Sequence, residues 1–190
     1  MPAAKSLTPA ELERVLGYIA TKDHAQRNRV MLMMTVAAGL RVGEVAALTL
    51  GDVLDSEGAV RAEIYLAAHR VKHGHARTIY INSRLQQELA DYIATKKQRD
   101  PSLPLFPSVR GPRRHFTPNT LAQHFHWLYK RSGITGASSH SGRKTFLTSL
   151  ASQGVSVFVL ASLAGHKSIA TTQRYITVND EVKRRAVELV

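Results

Sequence analysis

The chain has 190 residues, of which 26 are Lys or Arg and 14 are Asp or Glu, for a formal net charge of +12. That length fits one domain with its own core, and the charge suits a polyanion, nucleic acid ahead of acidic lipid. The lack of Cys excludes disulfides and thiolate metal sites and permits a reducing compartment; Met1–Ser6 has no apolar secretory core, and the longest mostly apolar run, Val30 to Leu40, is well short of the ~20 residues that span a bilayer.

Thr8-Pro9-Ala10-Glu11 reads as a helix start, with Thr as N-cap, Pro at the first helical position and Glu placed to complete a capping box. Leu12, Val15, Leu16 and Ile19 then form one apolar stripe. A second helix is predicted over about 25–38. It is apolar nearly all round after Arg29, which makes it central, and Gly39 is placed to end it in a left-handed cap. Arg41 follows, between Leu40 and Val42, at the start of the next helix. A cation there opposes the helix dipole. A buried Arg41, fixed by Glu44 and backbone carbonyls with its fork aimed at an anion, accounts for the pattern better than a solvated charge does.

Val60 to Leu66 alternates apolar and polar, the period of a half-buried strand, and Ala76 to Ile81 is a second strand. Between them lies a polar hairpin tip with Arg70, Lys72 and Gly74. His73-x-His75 has no further ligand beside it, so no metal is expected. Asn82 or Ser83 caps a helix with Leu85, Leu89, Tyr92 and Ile93 on one face. Lys96 to Arg114 is rich in Pro and basic residues, and two readings weigh equally: a solvated loop, or a flexible arm touching phosphates through Arg110, Arg113 and Arg114. Thr117-Pro118 starts a helix carrying Leu121, Phe125, Leu128 and Tyr129 at core spacing. Its Trp127, His124 and His126 read as surface or groove groups rather than ligands, and Lys130 and Arg131 extend its exposed side.

A small-residue linker, 132–139, leads into His140-Ser141-Gly142-Arg143-Lys144. On a helix, His140 and Arg143 share a face. Short helices follow, broken at Gly154 and Gly165, and they deliver His166; Ser168 opens the segment that bears Tyr175. Arg and His hold phosphates and move protons beside them. A tyrosine hydroxyl can attack an electrophile once its proton is taken. The combination points to phosphoryl transfer onto an enzyme tyrosine.

Gly39-Leu40-Arg41 with Glu44 and Leu48, then Val71-Lys72-His73-Gly74-His75-Ala76-Arg77, then His140-x-x-Arg143, Gly165-His166 and Tyr175 resemble, in order, the boxes of the tyrosine recombinase (phage integrase) family. The resemblance implies an α+β, mainly helical fold, a catalytic domain with a small antiparallel β-hairpin against a helical bundle. It is expected to span 1–190 as a single domain, with no N-terminal core-binding domain evident. The chain is similar in this to short single-domain members such as DNA invertases, and equally to a catalytic domain cut from a longer integrase. Lys144 stands where His is commoner, and Ser141-Gly142 replaces the frequent acidic-apolar pair.

What the family implies is a site-specific recombinase that cleaves and rejoins DNA through a 3′-phosphotyrosine, with no cofactor and no metal. Arg41 and Arg143 would hold the non-bridging oxygens and His166 would add a hydrogen bond. Tyr175 would attack phosphorus, His140 would take its proton, and Lys72 would protonate the leaving 5′ oxygen. Glu44 and Lys144 would support the site. Arg70, Arg113, Arg114, Lys130, Arg131 and Arg174 are candidate DNA contacts. The expected partner is double-stranded DNA with specific recombination sites, bound as a homotetramer by a chain that is monomeric when free, in the cytoplasm and on no membrane. The stretch from Asn179 to Val190 fits either a segment docked on a neighbouring copy or a tail helix on its own core. A catalytically silent DNA-binding regulator and a type IB topoisomerase are the competing readings.

Overall fold

The computed structural model describes residues 4–68, 76–109, 111, 113–176, 183–184 and 187–188. Arg70 and Lys72, His73-x-His75, Arg110 and most of the stretch from Asn179 to Val190 lie outside the described residues. The elements run α1 (Pro9–Ala20), α2 (Ala25–Val36), α3 (Val42–Ala47), α4 (Leu50–Val53), β1 (Glu63–Leu66), β2 (Arg77–Tyr80), α5 (Ser83–Ala94), α6 (Pro118–Arg131), α7 (Ser141–Ser152), α8 (Val157–Ala164) and α9 (Ile169–Gln173). The fold is therefore mainly helical with one small antiparallel hairpin, as the resemblance implied. Among the described residues no helix is long and apolar enough to cross a membrane.

Local chemistry sets the helix starts. The Thr8 hydroxyl accepts from the Glu11 amide at 3.2 Å while the Glu11 carboxylate accepts from the Thr8 amide at 3.0 Å, which closes the predicted box. Asn82 rather than Ser83 caps α5, accepting from the Leu85 amide at 2.9 Å. Thr117 pairs with Thr120 to start α6. The α2 helix is the central one: Val30, Met31, Leu32 and Met34 are almost wholly buried, and α1, α3, α5 and α7 all pack against it. It ends at Val36, and Gly39 turns the chain at φ +66° with the Phe146 ring lying where a Cβ would stand.

In the hairpin Glu63 pairs with Tyr80 and Leu66 with Arg77. Ile64 and Leu66 face the core while Tyr65 is exposed. The first strand is shorter than predicted because Val60 bridges Leu54 and the Arg61 amide donates to the Val53 carbonyl, so these residues pair backwards instead. The middle of the Lys96–Arg114 connection is neither a solvated loop nor a flexible arm. Pro104, Leu105 and Phe106 are buried, with the Leu50 amide bonded to the Leu103 carbonyl and the Leu105 amide to the Leu48 carbonyl. Phe106 stacks on Tyr92, whose hydroxyl donates to the Leu105 carbonyl at 3.0 Å. Apolar residues among the prolines pull the middle of the loop into the core, while Lys97 to Ser102, Arg113 and Arg114 are exposed.

The apolar interior divides in two. A large cluster holds α1 to α6, the hairpin and the loop just described. A small one is built from Leu147, Leu160 and Ala164, with Phe146, Leu150, Val155, Tyr175 and Ile176 packed on it.

Candidate active site

Arg41 is the N-cap of α3, and its amide donates to Glu44 Oε2 at 2.7 Å while its Nη1 donates to Glu44 Oε1 at 3.0 Å. A carboxylate in the first turn thus offsets the awkward cation, through the helix dipole and through the ion pair. The Arg41 side chain is partly exposed, and among the described residues Glu44 takes its amide and one end of its fork. The carbonyl fixation expected of Arg41 falls instead to Arg143. The reason is position: Arg143 lies one helical turn inside α7, against the end of the α2–α3 turn and the end of α8. Its Nη1 donates to the Gly39 carbonyl at 2.6 Å and its Nη2 to the Ala164 carbonyl.

His140 caps α7 with helical dihedrals, so the predicted shared face with Arg143 holds. The imidazole is exposed at the rim. The Ser141-Gly142 pair has a packing reason. Ser141 is fully buried, with its hydroxyl accepting from the Ser138 amide at 2.9 Å. A Cβ on Gly142 would run into Thr35 of α2, reaching its Cβ at 2.8 Å. Only glycine lets α7 approach α2 this closely.

His166 follows the left-handed Gly165 that ends α8. Its Nε2 lies 3.3 Å from Arg143 Nη2 and its Nδ1 lies 2.9 Å from Thr172 Oγ1. A guanidinium can only donate, so Nε2 accepts and the ring proton sits on Nδ1, donating to Thr172. Burial, reinforced by Arg143, Arg41 and Arg77, pushes the imidazole down to about 4, so it is neutral at pH 7. Burial with Arg41 and Arg77 nearby likewise lowers the Arg143 guanidinium to about 9, still charged at neutral pH. Burial alone would raise the Glu44 carboxyl. Arg77, the Arg41 amide and the Arg41 guanidinium together hold it below its ordinary value. The Tyr175 ring lies just past α9 and stacks on His166, with centroids 6.0 Å apart and planes 17° apart.

Arg41, His140, Arg143, Lys144, His166, Arg174 and Tyr175 line one cavity of about 380 Å³ together with Ala4. The five catalytic candidates that the structure describes, Arg41, His140, Arg143, His166 and Tyr175, are thus brought together from four separate elements. Glu44 lies beneath them, buried. Arg113, Arg114, Lys130 and Arg131 are exposed and do not line this cavity. His124, read as a surface or groove group, is half-buried and lines the grooves on either side of Trp127. Its Nε2 meets Asn28 Oδ1 at 3.2 Å, and burial with Arg27 and His24 nearby lowers it to about 4. The contact with Asn28 ties α6 to the start of α2.

Two residues of the site were given no role by the sequence reading, although Arg77 closes the Val71–Arg77 box. Thr172, fully buried, fixes the tautomer of His166; its only sequence signal is its place in the Thr171-Thr172 pair after that histidine. Arg77 opens β2, immediately after the stretch with Lys72. Its Nη2 donates to Glu44 Oε2 at 2.6 Å and its Nη1 to the Leu163 carbonyl at 2.5 Å.

Three comparisons bear on this arrangement. The chain is 29% identical over 184 residues to tyrosine recombinase XerA of Pyrococcus furiosus, covering 97% of this chain and 61% of that protein. The crystal structure of XerA recombinase superposes with a TM-score of 0.74 at 26% identity, covering all of this chain and 65% of that one. The Tn1549 transposon integrase, solved in complex with a circular intermediate DNA, shares the fold at a TM-score of 0.78 and 23% identity, covering 100% and 67% of the two chains. The chain therefore spans about three fifths of the length of the curated relative it matches. Residues 5–182 match the profile of the phage integrase family, to which this chain belongs.

Proposed function

We propose that the chain is the catalytic domain of a tyrosine site-specific recombinase, cleaving and rejoining DNA at specific sites. The observation that carries this reading is the gathering of three guanidiniums, one ammonium, two imidazoles and one phenol around a single cavity. A phosphodiester is anionic and a neutral phenol is a weak nucleophile, with a pKa of ~10. The reaction needs positive charge at the non-bridging oxygens and a proton acceptor near the phenol. Arg41 and Arg143 supply the charge, and His140 at the rim takes the proton of Tyr175. The Tyr175 oxygen bonds to phosphorus as the bond to the 5′ oxygen breaks, and Lys72 donates the proton that the 5′ oxygen gains. Attack by a 5′-hydroxyl reverses these steps and reseals the strand.

His166 enters this reaction from a neutral state whose Nε2 has no hydrogen to offer. A phosphate between Arg41 and Arg143 adds negative charge that opposes the repulsion now depressing the imidazole. Protonation then gives Nε2–H a hydrogen to place on the phosphate. Duplex DNA as partner is supported by the net charge of +12 and by the DNA complex of the Tn1549 integrase. Four copies assembling on paired sites complete the reading. Arg41, Arg143 and Tyr175 are all present and converge, which disfavours a silent regulator.

A nicked suicide duplex tests the chemistry. The wild-type chain is expected to be trapped as a covalent adduct, and Tyr175→Phe is expected to form none, a loss of at least a thousandfold. An adduct that survives in Tyr175→Phe would refute the assignment. Supplying two sites in place of one then separates strand exchange from the simple relaxation of a type IB topoisomerase.

A further inference from the structure

We propose that Arg77 is the positioning residue of this site, setting the Arg41 fork through Glu44 and the Gly165–His166 turn through the Leu163 carbonyl. Its side chain is almost wholly buried and touches both halves of the cavity's foundation. One end of its guanidinium holds the Glu44 oxygen that also accepts from the Arg41 amide; the other Glu44 oxygen carries Arg41 Nη1. The opposite end holds the last turn of α8 at Leu163. The stem lies against Gly165, where a Cβ would come 2.7 Å from Arg77 Cδ, so the turn that delivers His166 is shaped around this side chain. Arg77 also opens β2, so the strand following the Lys72 segment starts from the same anchor.

One detail distinguishes this from a generic buried ion pair. The Arg77 Nε–H is buried and has no partner among the described residues. Buried donors are nearly always satisfied, so an unpaired one marks a side chain held for another purpose. Here both Nη groups are aimed at groups that carry the phosphate ligands, and Nε is left over. Lysine cannot replace this geometry, because a single ammonium cannot span Glu44 and Leu163 with a planar fork.

The proposal rests on the phosphoryl-transfer reading of the cavity, and its test separates the two. Arg77→Lys and Gly165→Ala are compared with the wild type for duplex affinity, for single-turnover cleavage at saturating nicked duplex, for thermal midpoint and for affinity for inorganic phosphate. Duplex affinity comes mostly from backbone contacts over a wide surface, so it is expected to stay within threefold. The saturating cleavage rate is expected to fall at least thirtyfold and phosphate affinity at least fivefold, at temperatures where each variant is fully folded. Gly165→Ala reaches the same fork from the other side without changing its charge, and is expected to show the same split. A wild type that forms no adduct sinks the functional reading alone, and phosphate affinity then decides the role of Arg77. Cleavage and phosphate affinity within twofold of wild type in the folded variants would overturn the proposal. So would losses that merely track the unfolded fraction.

Discussion

At the scale of single residues, the site is a set of cations whose mutual repulsion is held in check from below by Glu44. His166 reports on that balance. Its ring is expected to titrate at about 4 in the free chain, and to move up by at least one pH unit when inorganic phosphate fills the cavity. Ring-proton NMR across the titration reads both, and a midpoint near the ordinary 6.5 in the free chain would contradict the geometry. The same depression has a consequence for stability. The unfolded chain takes up this proton near 6.5 and the folded chain only at about 4, so the unfolded form binds more protons in between. The contribution is complete above the higher value and is lost as pH falls toward the lower one. His124, also lowered to about 4, acts in the same direction, at up to ~1.4 kcal/mol per pH unit for one proton. The residues with chemical signatures, Arg41, His140, Arg143, His166 and Tyr175, were legible in the chain. The roles of Thr172 and of Arg77, which closes a family box, were not, because what sets them is a tertiary partner, an imidazole six residues back and a carboxylate on another element.

Among the elements, α7 is the one on which the site turns, since it carries His140, Arg143 and Lys144. Its closeness to α2 depends on Gly142. Gly142→Ala forces a methyl group onto Thr35 and is expected to cost roughly 1–3 kcal/mol, the usual range for overpacking. Cleavage should fall with it, because α7 must shift. Adding Thr35→Ala should restore part of both, and denaturant unfolding and suicide-duplex cleavage of the wild type, the single and the double variant check it; no recovery in the double variant would count against this contact. This glycine reads in the sequence as a departure from a pattern, and its cause appears only when two helices are docked. Elements with local signals were far easier to read. Capping residues at Thr8, Asn82 and Thr117 mark three helix starts. The β1 strand shortened because Val60 and Arg61 found partners in Val53 and Leu54, and the proline-rich connection buried Leu105 and Phe106. In both cases non-local pairing overrode a local pattern.

For the whole molecule, the excess of cations predicts that duplex binding weakens steeply with salt. Arg113→Gln with Arg114→Gln should weaken binding evenly across sequences and lower the salt slope by about two, one per lost phosphate contact. Titrations at several salt concentrations measure it, and an unchanged slope would remove both residues from the interface. The two apolar clusters divide the labour of the site. Arg41 stands on the large cluster, whereas Tyr175 packs on the small one and His166 stacks on its ring. Arg143 and Arg77 reach across, Arg143 with one amino group on the Gly39 carbonyl and the other on Ala164, Arg77 with one on Glu44 and the other on the Leu163 carbonyl. The catalytic basin is therefore a seam. A seam whose lesser side rests on so few buried side chains is expected to part for less free energy than unfolding requires, which would let the Tyr175 ring move while the Arg41–Glu44 pair beside it keeps its shape.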